Sequence, residues 1–219
     1  MVAMSNKAFV GERSVFPAVF DGDLPLELFR CSVEDAIVGW DIETSGLNWR
    51  VDRIGTCQIM IPSRGACVVR VGGCRPENLM NLLCDGGVRK VFHHAAFDVS
   101  FMMSEWGVVA RGAVCTKIGS KILEGPAAGH TLQDLLGRYL GVGLRKDANV
   151  RVSNWTSREL TREQVSYAVD DVVFLCRLWE VVEERLRLVG RLDLARAAFD
   201  YLPAQIRIAQ LGFGDVFSY

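Results

Sequence analysis

Apolar and polar positions along the chain change rhythm near the middle. Residues 36–43, AIVGWDIE, form a β-prone apolar run that ends in acids. IGTCQIMIP (54–62) and GACVVRV (65–71) follow as two further strand-like runs with turn residues between them. Their order predicts a meander. Residues 76–84 carry a short helical pattern, and KVFHHA (90–95) predicts one more strand that runs directly into a helix over 97–106. Beyond that point, apolar residues at three-to-four spacing predict helices over 115–123, 131–140, 161–188 and 190–211; the third opens at Thr161 with Glu163 in its first turn. Residues 141–154 have no such period and carry Arg145, Lys146 and Arg151. That stretch is expected to be a basic loop, long for a connector and placed to touch a ligand. Strands first, then a strand-helix unit, then helices predict a single α/β domain over residues 1–219, with a mixed sheet flanked by helices.

Composition narrows the setting. A chain of 219 residues buries a core without disulfides or a structural metal. Charges interrupt the apolar runs every few positions, so none approaches the ~20 residues that cross a bilayer. The first residues, MVAMSNKAFVGERSVF, lack the basic and apolar segments of a signal peptide, and a cytoplasmic protein is expected. Cys31, Cys57, Cys67, Cys74, Cys84, Cys115 and Cys176 make an odd set with no C-x-x-C pair, which points to free thiols serving as small core hydrophobes. Lysine plus arginine (25) balances aspartate plus glutamate (26), which disfavours a protein that wraps long duplex by counterion release. No G-x-x-x-x-G-K-[ST] phosphate loop occurs, and His93, His94 and His130 have no zinc-binding spacing.

Three short segments carry the candidate chemistry. In WDIET, alternation along a strand puts Asp41 and Glu43 on one face. Two carboxylates at the end of a buried strand repel each other and lose hydration, which a divalent cation would offset. In HHAAFD, Asp98 falls in the first turn of the helix that follows a strand, where its carboxylate can aim at the strand's end. In SYAVDD, Tyr167 and Asp171 are four apart and stack on one helical face, while Asp170 points elsewhere. Each segment alone is an ordinary pattern.

Together and in this order, Asp41 and Glu43, then Asp98, then Tyr167 with Asp171, resemble the DEDD superfamily of 3'-to-5' exonucleases, in the subclass whose last motif is Y-x-x-x-D. VCTKIGSKIL (114–123), HTLQDLL (130–136) and SNW (153–155) look like ribonuclease D segments. The chain leaves no room for the helical domains that follow the nuclease domain in ribonuclease D, and FDGDLP (20–25) and AFDYLPAQIRIAQLGFGDVF (198–217) are similar to the short nanoRNase C group. The resemblance implies a ribonuclease H-like (DnaQ-like exonuclease) fold. It implies two Mg²⁺ or Mn²⁺ ions held by Asp41, Glu43, Asp98 and Asp171, with Asp41 bridging them and Tyr167 orienting the attacking water. It also implies release of nucleoside 5'-monophosphates from RNA dinucleotides or other short RNA 3' ends, and an octameric ring.

On the substrate side, Thr44 and Leu47 in ETSGL match positions that contact the terminal nucleotide in relatives, the leucine as a wedge between bases. His94, Phe97 and Lys146 stand where the family places further substrate contacts. Trimming of longer RNA such as tRNA 3' ends, digestion of DNA, and an inactive nucleic-acid-binding module stay open as alternatives. The apolar C-terminal end, with Phe213, Phe217 and Tyr219, is expected either to pack back onto the domain or to form an interface.

Overall fold

The structure, a computed structural model, describes residues 17–144 and 148–218. Its elements run β1 (Ala18–Asp21), α1 (Leu26–Asp35), β2 (Ile37–Thr44), β3 (Ile54–Ile61), β4 (Gly65–Arg70), α2 (Glu77–Cys84), β5 (Arg89–Phe92), α3 (Ala95–Trp106), β6 (Ala113–Cys115) and α4 (Thr116–Glu124). They continue as α5 (Leu132–Leu140), α6 (Ala148–Arg151), α7 (Arg162–Asp170), α8 (Leu175–Leu188) and α9 (Leu192–Gln210). Among the described residues the strands form one mixed six-stranded sheet in the order β1-β4-β3-β2-β5-β6. β2, β3 and β4 make the expected antiparallel meander; β1 joins β4 in parallel, and β5 and β6 extend the other side in parallel. This is the expected ribonuclease H-like arrangement.

Helices cover both faces because β2 and β3 are apolar on both. Trp40 and Ile42 of β2 point to the α3 side, where the Trp40 ring lies 6.1 Å from Phe92 and 6.3 Å from Trp106. On the opposite face, Gly39 provides the closest approach of a helix to the sheet. A Cβ there would stand 3.0 Å from the Val172 carbonyl and 3.1 Å from Leu175 Cβ, so only a glycine lets the start of α8 settle on β2.

Several boundaries differ from the sequence reading. β1 and α1 fall in a stretch given no element, and their junction is fixed by Asp23. Its carboxylate accepts from the amides of Leu24, Asn78 and Leu79, which ties this turn to the start of α2. β5 ends at Phe92 rather than 95, and α3 starts at Ala95 rather than 97. The three residues of β6 precede the helix predicted from 115. The single helix expected over 161–188 is two helices, α7 and α8, interrupted at 171–174. The loop of 141–154 contains the short α6. All seven cysteines are free as expected, but Cys74 is exposed and Cys84 only half-buried, so neither serves as core. Lys90, in contrast, is fully buried on β5, with its ammonium donating to the Asp85 carbonyl at 2.5 Å. Among the described residues no helix is long and apolar enough to cross a membrane.

Candidate active site

The site is built where β2 outruns its neighbour. β5 pairs with β2 only from Ile37 to Gly39, so the second half of β2 has an open edge on that side. On its other side β3 remains paired, with a register shift between Glu43 and Thr44 that re-aims the end of the strand. Asp41 and Glu43, both half-buried, project from this half to the face that carries Gly39, as the period of a strand requires.

The N-terminus of α3 fills the gap left by β5. Asp98, in its first turn, is 2 % exposed and lies against the open edge of β2. Burial pushes its carboxyl up to about 8. The amides of Asp98 itself and of Ile42 favour the ionised form but offset burial only in part, and the charge of Asp171 raises the value further. Among the described residues its Oδ2 atom is buried without a hydrogen-bond partner.

The third contribution comes from the interruption between α7 and α8. α7 starts with a reciprocal cap in which Thr161 Oγ1 accepts from the Gln164 amide and Gln164 Oε1 accepts from the Thr161 amide. It ends at Asp170 with Asp171 as its C-cap, directly before the residues that rest on Gly39. Asp171 is thereby brought over β2, two residues along the same face from Gly39 to Asp41. One carboxylate oxygen from each of Asp41, Glu43 and Asp171 lies within 4.8 Å of the others. Tyr167, one turn earlier, is 8 % exposed. Burial and then the charges of Asp171, Glu43 and Asp41 hold its phenol protonated well above the ordinary tyrosine range, while Arg151 acts weakly in the opposite direction.

Three carboxylates are grouped here, Asp98 lies outside that trio but feels the charge of Asp171, and its buried orphan oxygen is the observation that tests for a cation. Hard oxygen donors in a compact trio, with an unsatisfied fourth beside them, fit a divalent cation such as Mg²⁺ or Mn²⁺.

Around the acids, the expected substrate-side residues have mixed placements. Thr44 ends β2, and its hydroxyl donates to the Gly46 carbonyl at 2.6 Å. Leu47 tops the following loop with 84 % of its surface exposed and covers no core. The loop under it is fixed by Asp52, whose carboxylate accepts from the Asn48 amide at 2.9 Å and the Ser45 hydroxyl at 3.2 Å. His94 lies outside the strand, exposed at the N-cap of α3, with its ring stacked on Phe97 at 6.2 Å. Its pKa is pulled below the ordinary value by partial burial and then by Lys117 and Lys121. Phe97 is half-buried against Phe101 at 4.9 Å. Lys146, with Arg145, lies outside the described residues.

Sequence reasoning did not single out the support beneath Tyr167. Trp155, 2 % exposed, packs against the tyrosine ring at 6.0 Å, and its carbonyl lies 2.3 Å from where a Cβ of Gly55 would stand. Buried Gln164 donates to Ser153 Oγ and to the Asn154 carbonyl, which holds that tryptophan's loop to α7. The SNW tripeptide was the available signal, but periodicity assigns an irregular segment no packing partner.

Comparisons with known proteins agree with this geometry. The pattern of the 3'-5' exonuclease family matches residues 19–187. The mouse protein Exonuclease 3'-5' domain-containing protein 2 is 29% identical over 146 residues, covering 62% of this chain and 22% of its own. Ribonuclease D of Acidiphilium cryptum is 30% identical over 141 residues, covering 58% of this chain and 35% of its own, so the chain spans well under half the length of these curated relatives. Among solved structures, Brucella melitensis NrnC bound to pGG is 31% identical with a TM-score of 0.85, covering 94% of this chain and 100% of its own. The same Brucella protein with bound Mg²⁺ superposes with a TM-score of 0.83 over 92% of this chain and 98% of its own. Escherichia coli RNase D, 19% identical with a TM-score of 0.74 over 82% of this chain and 47% of its own, shares the fold. A β2 that ends in two acids, the acid-bearing start of α3 and the α7–α8 junction fall within the matched residues, and the chain belongs to the 3'-5' exonuclease family of nucleic-acid phosphodiester hydrolases.

Proposed function

We propose that this protein is a 3'-to-5' exoribonuclease that removes nucleoside 5'-monophosphates from RNA dinucleotides and other very short RNAs. The observation that carries the reading is the compact trio of Asp41, Glu43 and Asp171 with the buried carboxyl of Asp98 beside it and Tyr167 on the same helical face as Asp171. These four acids would hold two divalent cations, Mg²⁺ or Mn²⁺. When bound, such ions supply Lewis-acid stabilisation of the charge that gathers on a phosphodiester during hydrolysis.

The chain's own groups account for the rest. Water attacks phosphorus and the P–O3' bond breaks, so the shortened strand keeps a 3' hydroxyl and the released nucleotide keeps its 5' phosphate. A tyrosine phenol, with an ordinary pKa near 10, is a poor base alone, so Tyr167 would orient the water by hydrogen bonding. Leu47, apolar and exposed on a fixed loop, suits wedging against a base without regard to sequence. Thr44 lies at the root of that loop, and His94 and Phe97 form a stacked pair beside the start of α3 that suits the next base. Lys146 is kept as a phosphate contact from the family resemblance.

Substrate length rests on relatives. NrnC, which aligns over its whole length, has been captured with pGG, whereas the chain spans only part of the ribonuclease D sequences. Assembly as an octameric ring is part of the same proposal; Leu211, Phe213, Val216 and Phe217 are exposed after α9, an apolar surface that a neighbouring copy would cover. Phe217 touches Tyr201 edge-on at 5.7 Å, yet this segment does not pack into the core, and Tyr219 lies outside the described residues. A cytoplasmic location belongs to the proposal as well.

The test is a time course with 5'-labelled RNAs from two to about twenty nucleotides, with matched DNA, in Mg²⁺ or Mn²⁺. Dinucleotide consumed much faster than longer strands supports the proposal. Equal or faster cutting of long RNA or DNA replaces it with a general 3' trimmer, and no cutting with a binding module.

A further inference from the structure

We propose that Gln58 is a positioning residue for the cation site, donating through its side-chain amide to the carboxylate of Asp41 from the neighbouring strand. The inference deepens the exonuclease reading above and rests on it, since it concerns how one of the four acids is held.

β3 reads Ile-Gly-Thr-Cys-Gln-Ile-Met-Ile, and its two polar residues, Thr56 and Gln58, are two apart and so share a face. The register fixes which face. Gln58 stands directly opposite Asp41 on β2 and Thr56 directly opposite Glu43, so all four side chains project from the same side of the sheet. Thr56 and Gln58 are both 0 % exposed. On the β4 side the partner of Gln58 is Val68, which packs with Trp155, Val165, Tyr167 and Ala168. Gln58 is therefore bounded by an apolar cluster on one side and by Asp41 on the other. Side chains directly opposite in an antiparallel pair have Cβ atoms about 5 Å apart, a gap that a glutamine amide spans.

The hydrogen bonding of this buried amide is half complete. Its Nε2 donates to Thr56 Oγ1 at 2.6 Å, while among the described residues its Oε1 is buried with no partner. A buried acceptor without a donor costs free energy. The oxygen and nitrogen ends of the amide have nearly the same shape, and the Thr56 hydroxyl can donate as well as accept. Half a turn about the Cγ–Cδ bond lets Oε1 accept from Thr56 and leaves the NH2 group to donate elsewhere. Directly across the strand pair is Asp41, whose ionised carboxylate is a stronger acceptor than any neutral group. Thr56 then sets the orientation of Gln58, and Gln58 sets that of Asp41. A carboxylate grouped with those of Glu43 and Asp171 is repelled by both, and a fixed donor on β3 holds it in place for a cation.

The experiment measures Mn²⁺ binding by calorimetry to chelator-stripped protein without substrate, for wild type, Gln58→Met, Thr56→Val and the double variant. Turnover of a 5'-labelled RNA dinucleotide and the thermal melt in chelator are read beside it. Methionine keeps the volume of glutamine and removes its amide. Gln58→Met should bind Mn²⁺ roughly 10–100-fold more weakly, with kcat lowered by a similar factor, as expected when a group that holds a ligating carboxylate is lost. Thr56→Val should show a smaller loss, and the double variant no more than Gln58→Met alone, because the two act in series. Mn²⁺ affinity of Gln58→Met within about threefold of wild type overturns the inference even where the melt falls, since the amide would then serve the fold alone. Losses that add in the double variant also overturn it. If Gln58→Met does not fold, Thr56→Val decides, and wild-type Mn²⁺ affinity there overturns the inference. A wild type that binds Mn²⁺ but releases no mononucleotide from any RNA or DNA overturns the exonuclease reading alone, because the binding series still decides the role of Gln58.

Discussion

Gly55 is the position where one methyl group most directly tests whether the tyrosine's support matters. The residue sits on β3 beneath the loop that carries Trp155, and a Cβ built there would lie 2.3 Å from the Trp155 carbonyl oxygen and 2.7 Å from its carbon. Ordinary contact begins near 3.4 Å, so Gly55→Ala must push that backbone outward by about 1 Å. The neighbour is main chain held by Gln164, not the free end of a side chain, so it cannot swing aside. Overpacking of this kind costs about 1–3 kcal/mol. Trp155 also moves relative to Tyr167, and a displacement near 1 Å at a positioning group costs on the order of 10–100-fold in turnover. The assay is kcat on an RNA dinucleotide beside a thermal melt. Gly137→Ala is the control, since its Cβ, on an exposed turn of α5, meets nothing within 4 Å and should stabilise by about 0.5–1 kcal/mol with unchanged kcat. A Gly55→Ala protein with wild-type kcat and melt would refute the argument that Trp155 positions Tyr167.

Other consequences can be measured on the same footing. Asp41→Ala should abolish turnover while leaving the melt nearly unchanged, and Tyr167→Phe should slow the enzyme less than loss of any of the four acids; the reverse ranking in kcat would remove the cation-holding assignment. Asp98→Asn should be inactive yet melt higher than wild type in chelator, because a buried ionisable carboxyl is replaced by an amide of the same shape; a lower melt would show that the acid stabilises the fold. Lys90 gives the pH dependence. Burial lowers its pKa from 10.5 to about 8, so the folded protein carries a disfavoured ammonium below pH 8 and is relieved of it as pH rises toward 10.5. The stability of wild type relative to Lys90→Met should therefore climb by up to roughly 3 kcal/mol between those pH values, measured by denaturant titration, and a flat difference would mean the amine stays normally hydrated.

The meander and the helix-rich second half were legible in the sequence, because strands and helices buried on defined faces repeat their apolar positions; the candidate acids were picked out by three short motifs, of which the structure brings Asp41, Glu43 and Asp171 together. What escaped has more than one cause. β1 is a four-residue edge strand and β6 has only three residues, too short for a period to register. The break at 171–174, Asp-Val-Val-Phe, contains neither glycine nor proline; its reason is Gly39, more than a hundred residues earlier, which admits the Val172 carbonyl against β2. A helix end set by a distant glycine leaves no local trace.

That break also explains why the acids meet at all. Asp171 at the middle of a continuous helix would be carried along a straight axis, with its carboxylate fixed by helical geometry alone. Ending α7 with Asp171 as its C-cap lets the following turn dock on Gly39, and docking sets the distance from Asp171 to Asp41 on the same face of β2. Asp98 arrives through a similar interruption, since β5 stops pairing at Gly39 and the start of α3 takes its place beside Ile42. Both routes to the site therefore converge on one residue of β2. Regular secondary structure would have satisfied the edge of β2 with another strand and left no gap for a carboxyl; the exposed half-strand is what allows a buried, unsatisfied acid to stand where a cation can bind.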